Sequence, residues 1–79
     1  MDEKLLSKLI AGEEGIIVRI RVKANTHRYL LKMGLTIGST VTIENTGMDM
    51  VYSPMAVRVG EDTFYLDRDI ASGINVEIN

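Results

Sequence analysis

The chain has 79 residues, enough for one small domain over 1–79 and too few for two. Hydrophobic residues make up 46% and charged residues 25%, as in ordinary globular proteins, and the absence of cysteine excludes disulfides, thiolate metal sites and thiol catalysis. The net charge of −2 argues against a nucleic-acid binder, which needs a basic face, and no apolar run is long enough for insertion into a bilayer.

Met1-Asp2-Glu3-Lys4 opens acidic, with no basic segment leading an apolar stretch, so the expected location is cytoplasmic. Over residues 3–10, Leu5, Leu6, Leu9 and Ile10 have helical spacing, and the segment reads equally as a single turn or an extended lead-in. Gly12 and Gly15 bracket Glu13-Glu14 in a tight turn. Residues 16–23 alternate with period two. Ile16, Val18, Ile20 and Val22 are predicted to face the core, and Ile17, Arg19, Arg21 and Lys23 the solvent. Asn25 or Thr26 is expected to cap a helix over 27–33 whose apolar side is Leu30, Leu31 and Met33.

Gly34 follows as a left-handed helix end, with Leu35 folding back, and Gly38 turns the chain into a strand over 40–44. A loop begins at Asn45-Thr46-Gly47 and runs to Pro54, whose missing N–H places it at a strand start or sheet edge. Residues 55–59 form a strand with Met55, Val57 and Val59 on one face, and Gly60 supplies the positive φ of a hairpin leading to residues 63–66. Asp67 caps a helical turn over 68–72 that Gly73 ends, and Ile74, Val76 and Ile78 alternate in a last strand. About five short strands with one short helix and one helical turn predict a mainly β fold, a small closed or partly closed barrel.

The candidates for chemistry are few. Ser7, His27 and Asp67 carry no motif that would bring them together, and the glycines match no phosphate-binding loop, so no catalytic residue is assigned and the chain is not expected to be an enzyme. His27 is a candidate metal ligand, with Glu13, Glu14, Glu61, Asp62, Asp67 and Asp69 as possible oxygen donors for Fe²⁺ or another divalent transition metal. No pair has diagnostic spacing. Met48 and Met50, with Tyr52, make the 46–55 loop a candidate partner-binding surface or an apolar plug for the barrel.

Several blocks, in order, resemble the FeoA family of ferrous-iron transport accessory proteins. They are Leu6-Ser7-Lys8-Leu9, residues 12–20, residues 54–60, residues 66–76, and above all Leu30-Leu31-Lys32-Met33-Gly34-Leu35-Thr36-Ile37-Gly38, similar to that family's L-x-x-M-G-L-x-P-G. Ile37 stands where the family has proline, and the 45–53 loop is rich in methionine. The resemblance implies an SH3-like β-barrel related to the C-terminal part of metal-dependent repressors. It also implies a cytosolic partner, a membrane ferrous-iron transporter with a GTPase domain. Met33 and Leu35 would then anchor the helix, and Arg28, Tyr29 and Lys32 would form its outward, partner-binding face. Direct binding of a transition metal and a generic peptide-binding SH3-like barrel are the alternatives.

Overall fold

A computed structural model describes residues 2–47 and 54–78. Eight elements follow in order: β1 (Asp2–Leu5), β2 (Glu14–Ile20), α1 (Ala24–Lys32), β3 (Thr40–Asn45), β4 (Met55–Val59), β5 (Asp62–Leu66), α2 (Arg68–Ala71) and β6 (Ile74–Ile78). The strands make one antiparallel six-stranded sheet in the order β1-β6-β2-β3-β4-β5. The mainly β expectation holds. Among the described residues the strand count rises from about five to six because the N-terminal lead-in pairs with β6, and the sheet keeps two edges, β1 and β5, so it is not a closed barrel.

The ambiguous N-terminal segment realises both of its readings. Asp2–Leu5 is extended, and Leu6–Lys8 then makes one 3₁₀ turn. That turn sends Leu6 and Leu9 into the core and leaves Ile10 64% exposed. Two leucines three residues apart need a single turn to share a direction, and no further helix is required.

The alternation of β2 is corrected by the fold. Ile17, expected outside, is fully buried, whereas Ile16 and Val18, expected inside, are half-exposed. The cause is a β-bulge. Ile17 pairs with Val76, but Arg19 pairs with Asn75, so Val18 is an extra residue on β2. An inserted residue reverses the period-two alternation beyond it. Ile17 and Ile20, three residues apart, therefore share the inner face opposite the buried Val76 and Ile74, with Val22 packed beside them.

Helix α1 begins three residues earlier than expected, at Ala24. Its N-cap is Lys23, which makes no side-chain capping bond, so neither Asn25 nor Thr26 caps it. Leu30 is its one fully buried residue. Thr26 and Met33 are half-buried beside it at i−4 and i+3, and Leu31 is 49% exposed rather than part of the apolar side. The anchors are thus Leu30 and Leu35, with Met33 in support.

The helix end matches its sequence reading. Gly34 has φ +81°, its N–H donates to the Leu31 carbonyl at 3.0 Å, and the Leu35 N–H donates to the Leu30 carbonyl at 2.9 Å. Those two bonds define a Schellman cap, closed by the apolar contact of Leu30 with Leu35. The chain then turns at Thr36–Ser39, with the Ser39 N–H donating to the Thr36 carbonyl at 3.0 Å and Gly38 at φ +97°, the type II pattern. Ser39 Oγ holds this corner, accepting the Thr36 N–H at 3.2 Å and donating to the Gly34 carbonyl at 2.9 Å.

Gly73 does more than end α2. Its carbonyl accepts the Arg21 N–H at 2.6 Å, and a Cβ on it would lie 2.5 Å from the Arg21 carbonyl oxygen and 2.7 Å from Val22 Cγ1. Nearby, the half-buried Arg68 guanidinium donates to the carbonyls of Ser7, at 3.3 Å, and Thr46, tying α2 to the first turn and to the end of β3.

Three outcomes test this packing. Gly73→Ala is expected to destabilise the domain by about 1–3 kcal/mol, because backbone must move to admit a methyl group. Leu30→Ala should cost about 2–5 kcal/mol and Met33→Ala clearly less. Ile37 is 64% exposed, and its N–H has no partner among the described residues. Ile37→Pro should therefore stabilise by about 0.4–1 kcal/mol, since proline pre-sets the second position of a type II turn. Denaturant melts of each variant measure all of these, and a destabilising Ile37→Pro would contradict the turn assignment.

Candidate interaction surface

On α1 the inward stripe of Thr26, Leu30 and Met33 leaves the opposite face to Arg28 and Lys32, four residues apart. Tyr29, 53% exposed, flanks them on one side and Leu31 on the other. The resulting patch is two cations between an aromatic ring and a leucine. Aromatic residues and arginine are the side chains most enriched at protein contact sites.

Local energetics do not explain this composition. α1 has no acidic residue in its first turn and no side-chain cap. The Arg28–Lys32 pair is a like-charge i,i+4 pair, mildly destabilising, and neither side chain has a partner among the described residues. Only Lys32, in the last turn, suits the helix dipole. A helix held by its tertiary anchor while its exposed face breaks local rules is the pattern expected where that face serves contact.

Two other arginines, Arg19 on β2 and Arg21 just beyond it, are held against neighbouring strands. Arg19 Nη2 lies 3.3 Å from Glu3 Oε1, Asn75 Nδ2 donates to Glu3 Oε2 at 2.8 Å, and Arg21 Nη2 donates to Asn75 Oδ1 at 2.9 Å. This β1-β6-β2 network pairs the charge of Arg19 with Glu3 and fixes the Arg21 side chain on Asn75, which leaves α1 as the better candidate surface.

His27 is exposed on α1, and among the described residues no three His, Asp or Glu side chains come together as a metal site. Two of the acids named from sequence have structural tasks. Glu13 Oε1 accepts the Ile10 N–H at 2.9 Å, and Glu14 Oε2 accepts from Thr42 Oγ1 at 3.4 Å. Ser7 accepts a hydrogen bond from the Ser72 hydroxyl at 3.2 Å. Met48, Met50 and Tyr52 lie outside the described residues.

A groove that no sequence motif signals lies on the outer face of β3, β4 and β5. It encloses about 360 Å³ and is lined by Glu44, Asn45, Pro54, Ala56, Thr63 and Tyr65. A second bulge lies at its rim. Ile43 pairs with Val57 but Asn45 with Ala56, so Glu44 is the extra residue. Its carboxylate accepts a hydrogen bond from Thr63 Oγ1, reaching from β3 to β5 across β4.

Comparison with known proteins places this geometry in a family. The FeoA domain model matches residues 4–78. A crystal structure of an iron uptake regulatory protein (FeoA) superposes with a TM-score of 0.85 at 28% identity, covering 96% of this chain and 97% of that one. Stenotrophomonas maltophilia FeoA complexed with zinc, a prokaryotic SH3 domain protein, superposes with a TM-score of 0.73 at 24% identity over 91% of this chain and 87% of that one. A manganese-dependent transcriptional repressor shares the fold, with a TM-score of 0.87 at 19% identity, and the match covers 98% of this chain but 42% of the repressor. No curated protein matches in sequence. The fold is therefore SH3-like, shared with part of a metal-dependent repressor, and the chain belongs to the FeoA family.

Proposed function

We propose that the chain is a non-enzymatic accessory module of ferrous iron transport. It acts in the cytoplasm by touching the cytosolic part of a membrane ferrous-iron transporter that carries a GTPase domain. The observation that carries this reading is the FeoA match over residues 4–78, joined to a helix whose exposed Arg28 and Lys32 have no partner among the described residues. A relative described as a candidate activating factor for bacterial ferrous iron transport supports the same assignment. Arg28, Tyr29 and Lys32 form the contact, with Leu31 at its edge. The 46–55 loop, with Met48, Met50 and Tyr52, is a further candidate for the same partner.

Calorimetric titration of the chain into the transporter's isolated cytosolic part tests the proposal. Arg28→Glu and Tyr29→Ala should each weaken binding by about tenfold or more, as central interface residues do. Both positions are exposed, so stability should stay within about 0.5 kcal/mol of the parent. Binding unchanged in both variants would remove the α1 face from the mechanism.

Direct binding of a divalent transition metal is the second reading, favoured by the zinc complex of the Stenotrophomonas maltophilia relative. Equilibrium dialysis against Fe²⁺ and Mn²⁺ separates the two. The contact reading expects no tight one-to-one binding that depends on His27. Micromolar binding lost in His27→Ala would favour the metal reading instead.

A further inference from the structure

Among the described residues the sheet ends at β5, and that edge has its own chemistry, independent of the α1 contact. Gly60-Glu61 is a two-residue hairpin loop, with Val59 paired to Asp62 and Gly60 at φ +63°, the type II′ pattern. In such a hairpin the closing pair is hydrogen-bonded and the pairs alternate beyond it. The backbone groups of Asp62, Phe64 and Leu66 thus point to β4, and those of Thr63 and Tyr65 point outward. Among the described residues no strand lies on that side.

Edges of this kind are usually blunted by lysine, proline or a covering element. Here the exposed side chains around the edge are Glu44, Glu61, Asp62 and Asp67 against Arg58, and Tyr65 is 67% exposed beside the groove. The nearby Arg68 guanidinium is turned to the carbonyls of Ser7 and Thr46. Ala56, Glu44 and Tyr65 all line the groove, so a long side chain passing over Tyr65 meets the exposed Glu44 side chain, whose carboxylate also accepts from Thr63 Oγ1.

We infer that β5 adds a strand from a partner: an extended, lysine- or arginine-bearing peptide segment. Its backbone bonds to the outward N–H and C=O groups of Thr63 and Tyr65. A basic side chain on its outer face lies along the Tyr65 ring and directs its charge to Glu44. Acidic surroundings select the basic sequence, and backbone pairing selects the extended conformation.

The test uses the whole chain, labelled with ¹⁵N, and a fluorescent peptide of alternating lysine and threonine, with its glutamate counterpart as control. The basic peptide should bind, more weakly as salt rises, and should shift the amide signals of Thr63, Tyr65 and Glu44. Tyr65→Pro removes an outward donor at an edge, where proline is tolerated, and should weaken binding about five- to tenfold. Tyr65→Ala, which keeps that donor, and Glu44→Gln should each weaken it about two- to fivefold. The two milder variants decide the matter if Tyr65→Pro fails to fold. Equal binding of the acidic peptide, shifts confined to other strands, no binding at all, or β5 protected by self-association of the free chain would each overturn the inference.

Discussion

The pairing of β2 with β6 is the contact on which the other packing depends. β6 is the last element of the chain, yet it lies between β1 and β2 and joins the two N-terminal strands into the sheet. Its inner residues, Ile74 and Val76, are fully buried against Ile17 and Ile20. The bulge at Val18 makes that meeting possible. Without the extra residue, Ile17 and Ile20 would face opposite sides of the sheet and one of them would lose its place in the core. Burying such a side chain is worth roughly 1.5–3 kcal/mol, a large share of the stability of a domain this small. Gly73 belongs to the same constraint, because β6 enters beside the Arg21 backbone at a distance that admits no side chain.

With the core settled in this way, the surface divides by charge. On β1, β6 and β2 the ionic groups answer one another, Glu3 with Arg19 and Asn75 with both Glu3 and Arg21. Exposed contacts of this kind add little stability, but they hold the side chains of Arg19 and Arg21 against neighbouring strands. α1 keeps two cations with no partner among the described residues, and the β5 edge keeps a majority of carboxylates. A protein of net charge −2 can therefore offer a basic helix to one partner and an acidic edge to another.

Much of the local structure was legible in the residues. The left-handed helix end at Gly34, the apolar return of Leu35, the turn at Gly38 and the positive φ of Gly60 are all visible there, because each depends on a few neighbouring residues and on glycine's access to left-handed backbone. The outward placement of Arg28, Tyr29 and Lys32 was also visible, since helical spacing reports which face opposes an apolar stripe. The start of α1 was misplaced because Asn25 and Thr26 are good capping residues, yet here both lie inside the helix and its N-cap is uncapped by any side chain. Sequence alternation also failed at Ile16–Val18, where every residue is aliphatic and any register looks equally sound until β6 pairs with it.

What the chain determined alone was its alphabet of short strands, its turns and the helix end, all properties of neighbours within a few residues, and its family likeness, carried by the order of those local blocks along the chain. Tertiary structure decided the sixth strand, the two bulges, the open sheet edges, and the Glu44–Tyr65 groove. Those features arise from pairing between segments distant in sequence, where packing across the sheet, and not local preference, selects the register.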